Sequence, residues 1–224
     1  MAVEIVSLNV GKPVTITYAG RKLVSGIYKR PVEAALYLAE CNFTGDAQAD
    51  LVHHGGREKA VCVYPVEHYP YWEKVLGQSL HKGAFGENLT VRGMLEEEVC
   101  IGDIYQLGEA VVQVSQPRQP CHKLAKRYDC KELPRWLEET GYTGYYFRVL
   151  REGWVGPNSS VKLLERHPHK LSVAFANRIM HHAKQDTAGI KRLLDVKELS
   201  ASWQATLAKR LQGVQTDTKE RLEG

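Results

Sequence analysis

Short apolar and β-branched runs, broken by Gly, Asn, Asp and Pro, dominate the first 165 residues. They fall at Val3 to Leu8, Val14 to Tyr18, Arg21 to Ser25, Ala60 to Tyr64, Asn88 to Val91, Ile104 to Leu107, Ala110 to Ser115, Tyr145 to Leu150 and Ser160 to Leu164. Many short strands at this spacing predict a mainly β domain, a barrel with flanking helices. A helical period replaces the strand pattern at Val66 to Leu76, at Cys121 to Tyr128 and at Leu133 to Glu139. Tyr69, Trp72 and Leu76 recur at spacings of three and four, so the first helix is expected to pack on the barrel through them.

After Arg166 no strand pattern remains. Three helical segments follow, roughly Leu171 to Ala183, Ala188 to Val196 and Ser200 to Leu211; the first begins just after Pro168, and Ser200 is a ready N-cap for the last. The pattern therefore divides the chain into a β domain over 1–165, a small three-helix domain over 166–214 and a flexible tail over 215–224.

Charge adds to this division. The 224 residues carry a net +4, but residues 166–212 hold nine Lys/Arg against three Asp/Glu, whereas 1–165 are close to balanced. A cationic three-helix unit raises a nucleic-acid reading. Lys191-Arg192 and Lys209-Arg210 are spaced like ordinary solvated helix faces, few aromatics interleave with them, and docking or homodimerisation fits the appendage better. No apolar run is long enough to span a membrane and no signal peptide is evident, so a cytoplasmic protein is expected. The five cysteines show no C-x-x-C spacing, which argues against structural zinc and suits a reducing compartment. Cys62 and Cys100 lie within strand-like apolar runs and read as inert core thiols.

Cys121 stands apart. The segment Ser115-Gln-Pro-Arg-Gln-Pro-Cys-His-Lys-Leu124 surrounds it with two prolines and the cations Arg118 and Lys123, a setting that favours thiolate and hence nucleophilic or metal-binding chemistry. Other segments are dense in polar and glycine residues. Lys29-Arg-Pro places two cations before a proline that holds Arg30 extended, a natural arrangement for phosphate. Asp46 to Gly56 combines two carboxylates, the adjacent His53 and His54 and the diglycine Gly55-Gly56. Neighbouring side chains on an extended segment point opposite ways, so the histidine pair alone makes a poor metal site. Gly83-Ala-Phe-Gly-Glu-Asn-Leu-Thr90 is a second glycine turn, in which Asn88 suits a heterocycle and Glu87 suits either proton transfer or a structural ion pair. Gly102 to Gly108 reads as a structural strand bounded by glycine turns.

Lys29-Arg-Pro, His53-His-Gly-Gly-Arg-Glu-Lys-Ala60, Gly83-Ala-Phe-Gly-Glu-Asn-Leu89, Gly102-Asp103 and Ser115 to Cys121, in that order, closely resemble the MOSC family, named for the carboxyl-terminal domain of molybdenum cofactor sulfurases. Within it the chain is similar to the YiiM-like group, whose three-helix extension would account for 166–212. The resemblance implies a β-barrel that holds the molybdenum cofactor (Mo-molybdopterin), with Cys121 as the protein's ligand to molybdenum. It makes Lys29, Arg30, Arg118 and Lys123 the candidate cations for the cofactor's phosphate. Asn88 and the turns at Gly55, Gly56 and Gly86 become candidates for the pterin, with Lys59 and Phe85 in the same motifs. A family-level association with pyridoxal phosphate comes with the resemblance.

The activity implied is reduction of N-hydroxylated compounds such as hydroxylaminopurine-type base analogues, with His53, His54 or Glu87 delivering the proton. The alternative is a carrier of cofactor or sulfur that uses Cys121 without turnover. The chain contains no dinucleotide fingerprint, P-loop or iron–sulfur spacing, so a separate flavin or iron–sulfur reductase is expected to supply electrons.

Overall fold

The computed structural model describes residues 3–18, 21–49, 55–214 and 216–223. Its strands are β1 (Glu4–Val10), β2 (Val14–Tyr18), β3 (Arg21–Ser25), β4 (Arg30–Val32), β5 (Leu36–Leu38), β6 (Val61–Pro65), β7 (Leu89–Arg92), β8 (Ile104–Leu107), β9 (Ala110–Pro117), β10 (Tyr145–Arg151), β11 (Gly153–Val155) and β12 (Val161–Glu165). Eight of them form one sheet in the order β12-β8-β9-β10-β6-β7-β1-β4. Its pairings are antiparallel except for β6 with β7. β6 lies inside this sheet, and each of its residues is buried, as its unbroken apolar run requires. β8 instead alternates, with Tyr105 and Leu107 buried and Ile104 and Gln106 half-buried.

The expected strands are present, and three short ones join them: β4, β5 and β11. β4 contains Pro31, which cannot donate to a ladder; its place at the sheet's edge removes that demand. β5 and β11 are three residues each and form a two-stranded sheet with one another, too short to carry a sequence period.

The helices are α1 (Tyr69–Leu76), α2 (His122–Tyr128), α3 (Leu133–Thr140), α4 (Val173–Asn177), α5 (Thr187–Leu194), α6 (Ala201–Leu211) and α7 (Lys219–Glu223). α1 turns Tyr69 and Trp72 into a satellite core with Tyr64, Phe85, Leu124 and Leu137, as its spacing predicts. The first helix after Arg166 does not run uninterrupted to Ala183: α4 gives way to a π-helical turn at Arg178–His182, closed by the Ala183 N–H on the Arg178 carbonyl at 2.8 Å. The segment expected to be a flexible tail contains α7, which packs on α2.

The three-helix segment is not an independent appendage in its packing. Leu171, Val173, Ile179, Ile190, Leu193, Trp203 and Leu207 belong to the same hydrophobic cluster as the sheet residues Leu8, Val63, Val112 and Phe147. Ser200 accepts the Trp203 N–H as N-cap, and its own N–H donates to the Ser115 carbonyl on β9 at 3.0 Å. One shared core predicts one cooperative unit. Trp203→Ala should lower stability by about 3–5 kcal/mol, and calorimetry should show a single transition moving down; two separated transitions would disprove the coupling.

Candidate functional site

Three segments meet around a cavity of ≈ 70 Å³. The end of β3 and the loop after it supply Ser25, Gly26, Ile27 and Lys29; β6 supplies Cys62; the loop between β9 and α2 supplies Arg118 and Cys121. Lys59, Gly86, Asn88, Lys123 and Tyr146 complete the wall that matters chemically. Gly86 has φ +78°, and a Cβ there would stand 2.7 Å from Ile27 Cγ1, so the turn needs glycine on both counts.

Arg118 is the electrostatic centre of this wall. The residue is 7% exposed, yet none of the hydrogen bonds or ion pairs among the described residues engages its guanidinium. Its main chain is fixed: the Arg118 N–H donates to Gly144 O at 3.0 Å, and the Gly144 N–H donates to buried Glu96 at 2.8 Å. Burial pulls the guanidinium pKa down, but Cys62, Tyr146 and Cys121 together pull it above its ordinary value, so it stays cationic. A buried cation without a carboxylate is costly and is the natural complement of an anionic ligand.

Lys29 is committed elsewhere. Its ammonium pairs with buried Asp46, whose carboxylate also accepts from Gly11 N–H at 2.9 Å and from the Asn88 amide at 2.9 Å. The Asn88 side-chain oxygen takes the Cys62 N–H at 3.1 Å, so this asparagine links the Asp46 pair to β6 as well as lining the cavity.

The turn carrying Glu87 corrects the sequence reading. Glu87 is fully buried and accepts from Tyr69 Oη at 2.5 Å, Phe85 N at 2.9 Å, Gly83 N at 3.0 Å and Thr90 Oγ1 at 2.8 Å. It holds the turn together, does not line the cavity and forms no ion pair among the described residues. Phe85 is likewise a core residue, stacked on Tyr64 with centroids 4.2 Å apart. Arg30 is exposed on β4, and Gly55 and Gly56 do not line the cavity. His53 and His54 lie outside the described residues. Cys121, Arg118, Lys29, Lys59, Gly86, Asn88 and Lys123 are the predicted residues that the fold does bring together.

Sequence reasoning missed two members of the wall. Cys62 and Tyr146 are register partners across β6 and β10, and both reach the cavity. Burial pushes the Cys62 thiol up to about 11, despite the opposing influence of Arg118. Burial also raises the Tyr146 phenol, with Cys62 contributing. Only the strand pairing could reveal this, because both residues stand in apolar runs. Cys100 does match its reading as a structural thiol: it is buried, and its sulfur receives Arg166 Nη1 at 3.1 Å.

Among the described residues no three His, Cys, Asp or Glu side chains gather as a metal site. The Cys121 thiol beside a guanidinium with no ion-pair partner among the described residues instead suits a metal that arrives in an anionic cofactor bringing its own ligands. No helix among the described residues is long and apolar enough to cross a membrane.

Comparison with known proteins identifies the family. Residues 50–162 match the MOSC domain and residues 171–213 match the YiiM-like 3-alpha helix domain. The chain belongs to the MOSC family, in its YiiM-like branch. It is 55% identical to the Bacillus subtilis protein YflK over 207 residues, covering 92% of this chain and 94% of that one. The crystal structure of YiiM from Geobacillus stearothermophilus superposes with a TM-score of 0.80 at 42% identity, covering 93% of this chain and 99% of that one. A Gibberella moniliformis protein named a reductase is 38% identical over 165 residues, which are 72% of this chain and 29% of that one.

The wall makes two measurable demands. Arg118→Met, by removing a buried charge with no ion-pair partner among the described residues, should stabilise the cofactor-free protein by about 1–2 kcal/mol, a Tm rise of about 2–8 °C. Inorganic phosphate should raise the Tm of the wild type and leave the variant unmoved; a less stable variant and a phosphate-insensitive wild type would reject the site. Cys62 should resist iodoacetamide at pH 8, its rate rising about tenfold per pH unit until the pH passes its raised pKa. Rapid labelling of Cys62 at pH 8, seen by peptide mapping, would contradict its burial as a neutral thiol.

Proposed function

We propose that the protein is a molybdenum-cofactor-dependent reductase of N-hydroxylated compounds, with Cys121 as the protein's ligand to the metal. The observation that carries this reading is the buried Arg118 guanidinium, without an ion-pair partner among the described residues, in the same cavity as the Cys121 thiol. Membership of the MOSC family and a relative named a reductase support it. A bound molybdenum centre would supply the two-electron chemistry that removes oxygen from an N–OH group.

The chain's own residues bind, orient and supply protons. Arg118 offers a rigid fork to an anionic oxygen of the cofactor, with Lys59 and Lys123 adding charge around the cavity. The Lys29–Asp46–Asn88 network fixes the wall against β6 instead of contributing a loose cation. Cys62 and Tyr146 are held protonated by burial, and their S–H and O–H groups are the proton-bearing members of the wall in place of Glu87. Electrons come from a separate flavin or iron–sulfur protein, and the cationic helices over 166–212 are the surface suited to an acidic donor.

The test is expression in cells making active molybdenum cofactor, followed by metal analysis and turnover of an N-hydroxylated purine with a chemical reductant. Wild type should retain molybdenum at up to about one equivalent and form the amine. Cys121→Ser should lose at least about 100-fold in activity, the scale on which a metal ligand matters, and NADH alone should drive no turnover. Bound cofactor without amine formation would establish the carrier alternative, and normal metal content and rate in Cys121→Ser would exclude the ligand role.

A further inference from the structure

Residues 214–224 lie beyond both family matches, yet their helix reaches the loop that carries Cys121. Arg221 on α7 donates through Nη1 to the carbonyl of Pro120, the residue before Cys121, at 2.5 Å. Its Nη2 forms an ion pair with Glu138 Oε1 on α3 at 2.6 Å. Glu138 reaches onward to the three-helix domain: its other carboxylate oxygen faces His181 Nδ1 at 3.5 Å, and its main-chain carbonyl faces His182 Nε2 at 3.0 Å. Burial opposes ionisation of Glu138, but His181 and Arg221 outweigh it and hold the carboxyl below its usual pKa. The main chain of Glu220 and Arg221 also faces the His122 imidazole, on the other side of Cys121.

The loop needs such a tie. It is anchored at one end by the Arg118 N–H on Gly144 and at the other by α2, where the Leu124 N–H takes the Cys121 carbonyl. Proline at 120 has no N–H, so its carbonyl is the only hydrogen-bonding group that residue can offer between those anchors. A guanidinium whose two ends engage different acceptors fixes that carbonyl in direction as well as distance.

We propose that Arg221 is a positioning residue for the Cys121 thiol, a clasp that ties the Pro120–Cys121 peptide to Glu138 and through it to the three-helix domain. The clasp holds whatever the cavity binds, since it depends only on Cys121 lining the cavity. α7 thereby becomes part of the site's support, and loosening it exposes a thiol that is 5% accessible in the closed arrangement.

The experiment is peptide-resolved iodoacetamide labelling of full-length, cofactor-free protein, with Cys41, which is half-buried and remote in sequence from the loop, as internal control. In Arg221→Ala the Cys121 rate should rise about tenfold, the effect of losing one charge-assisted hydrogen bond, while the Cys41 rate stays within about twofold. Arg221→Lys should fall between wild type and Arg221→Ala, because an ammonium does not reproduce the fork. Glu138→Gln, which keeps the side chain's size, should also speed labelling of Cys121. Equal Cys121 rates in wild type and Arg221→Ala would overturn the proposal. So would parallel acceleration of Cys41 and Cys121, which would show that Arg221 only stabilises the fold.

Discussion

A buried guanidinium with no ion-pair partner among the described residues is the constraint around which the rest of this protein is arranged. Burial of the Arg118 charge costs free energy that no side chain of the described residues offsets by an ion pair, so the fold must hold it there by other means. Its main chain is pinned to Gly144, and Gly144 to Glu96. Gly144 itself has φ +70°, and a Cβ on it would stand 2.3 Å from the Val63 carbonyl. The anchor of Arg118 therefore depends on close backbone approach between the entry to β10 and β6. The same strand pair sets Tyr146 beside Cys62, so cation, thiol and phenol are located by one stretch of sheet.

Polar groups near the cavity divide by whether they are already satisfied. Asp46 is neutralised by Lys29 and further held by Gly11 and Asn88, and Glu87 is saturated by four donors. Each stabilises a turn and is correspondingly a poor reagent, since using either in chemistry would break several buried hydrogen bonds. The Arg118 guanidinium has no such commitment among the described residues. This contrast, more than proximity, separates residues that build the wall from those that act through it.

The carboxyl-terminal helices contribute to the same end. The start of α6 hydrogen-bonds to β9 at Ser115, three residues before Arg118, and the helices share the sheet's hydrophobic cluster. Strand β9 is thus supported from both sides just where it runs out into the Cys121 loop. The charge excess of residues 166–212 is carried on a unit whose apolar side chains join the sheet's own hydrophobic cluster.

Periodicity alone located nine strands and α1, α2, α3, α5 and α6 to within a few residues, because apolar alternation reports burial directly. The cationic, proline-bounded setting of Cys121 and the motif order were also legible, being contiguous in the chain. Pairing was not. β4, β5 and β11 are defined by partners far away in sequence, and the shared core of sheet and helices hides behind an abrupt change of pattern at residue 166. The sequence left Glu87 open between chemistry and a structural role, and it read Cys62 as a buried thiol without showing that the cysteine also lines the cavity. Which donors surround a carboxylate, and which side of a strand faces a cavity, depend on contacts between distant segments; only the tertiary structure decides them.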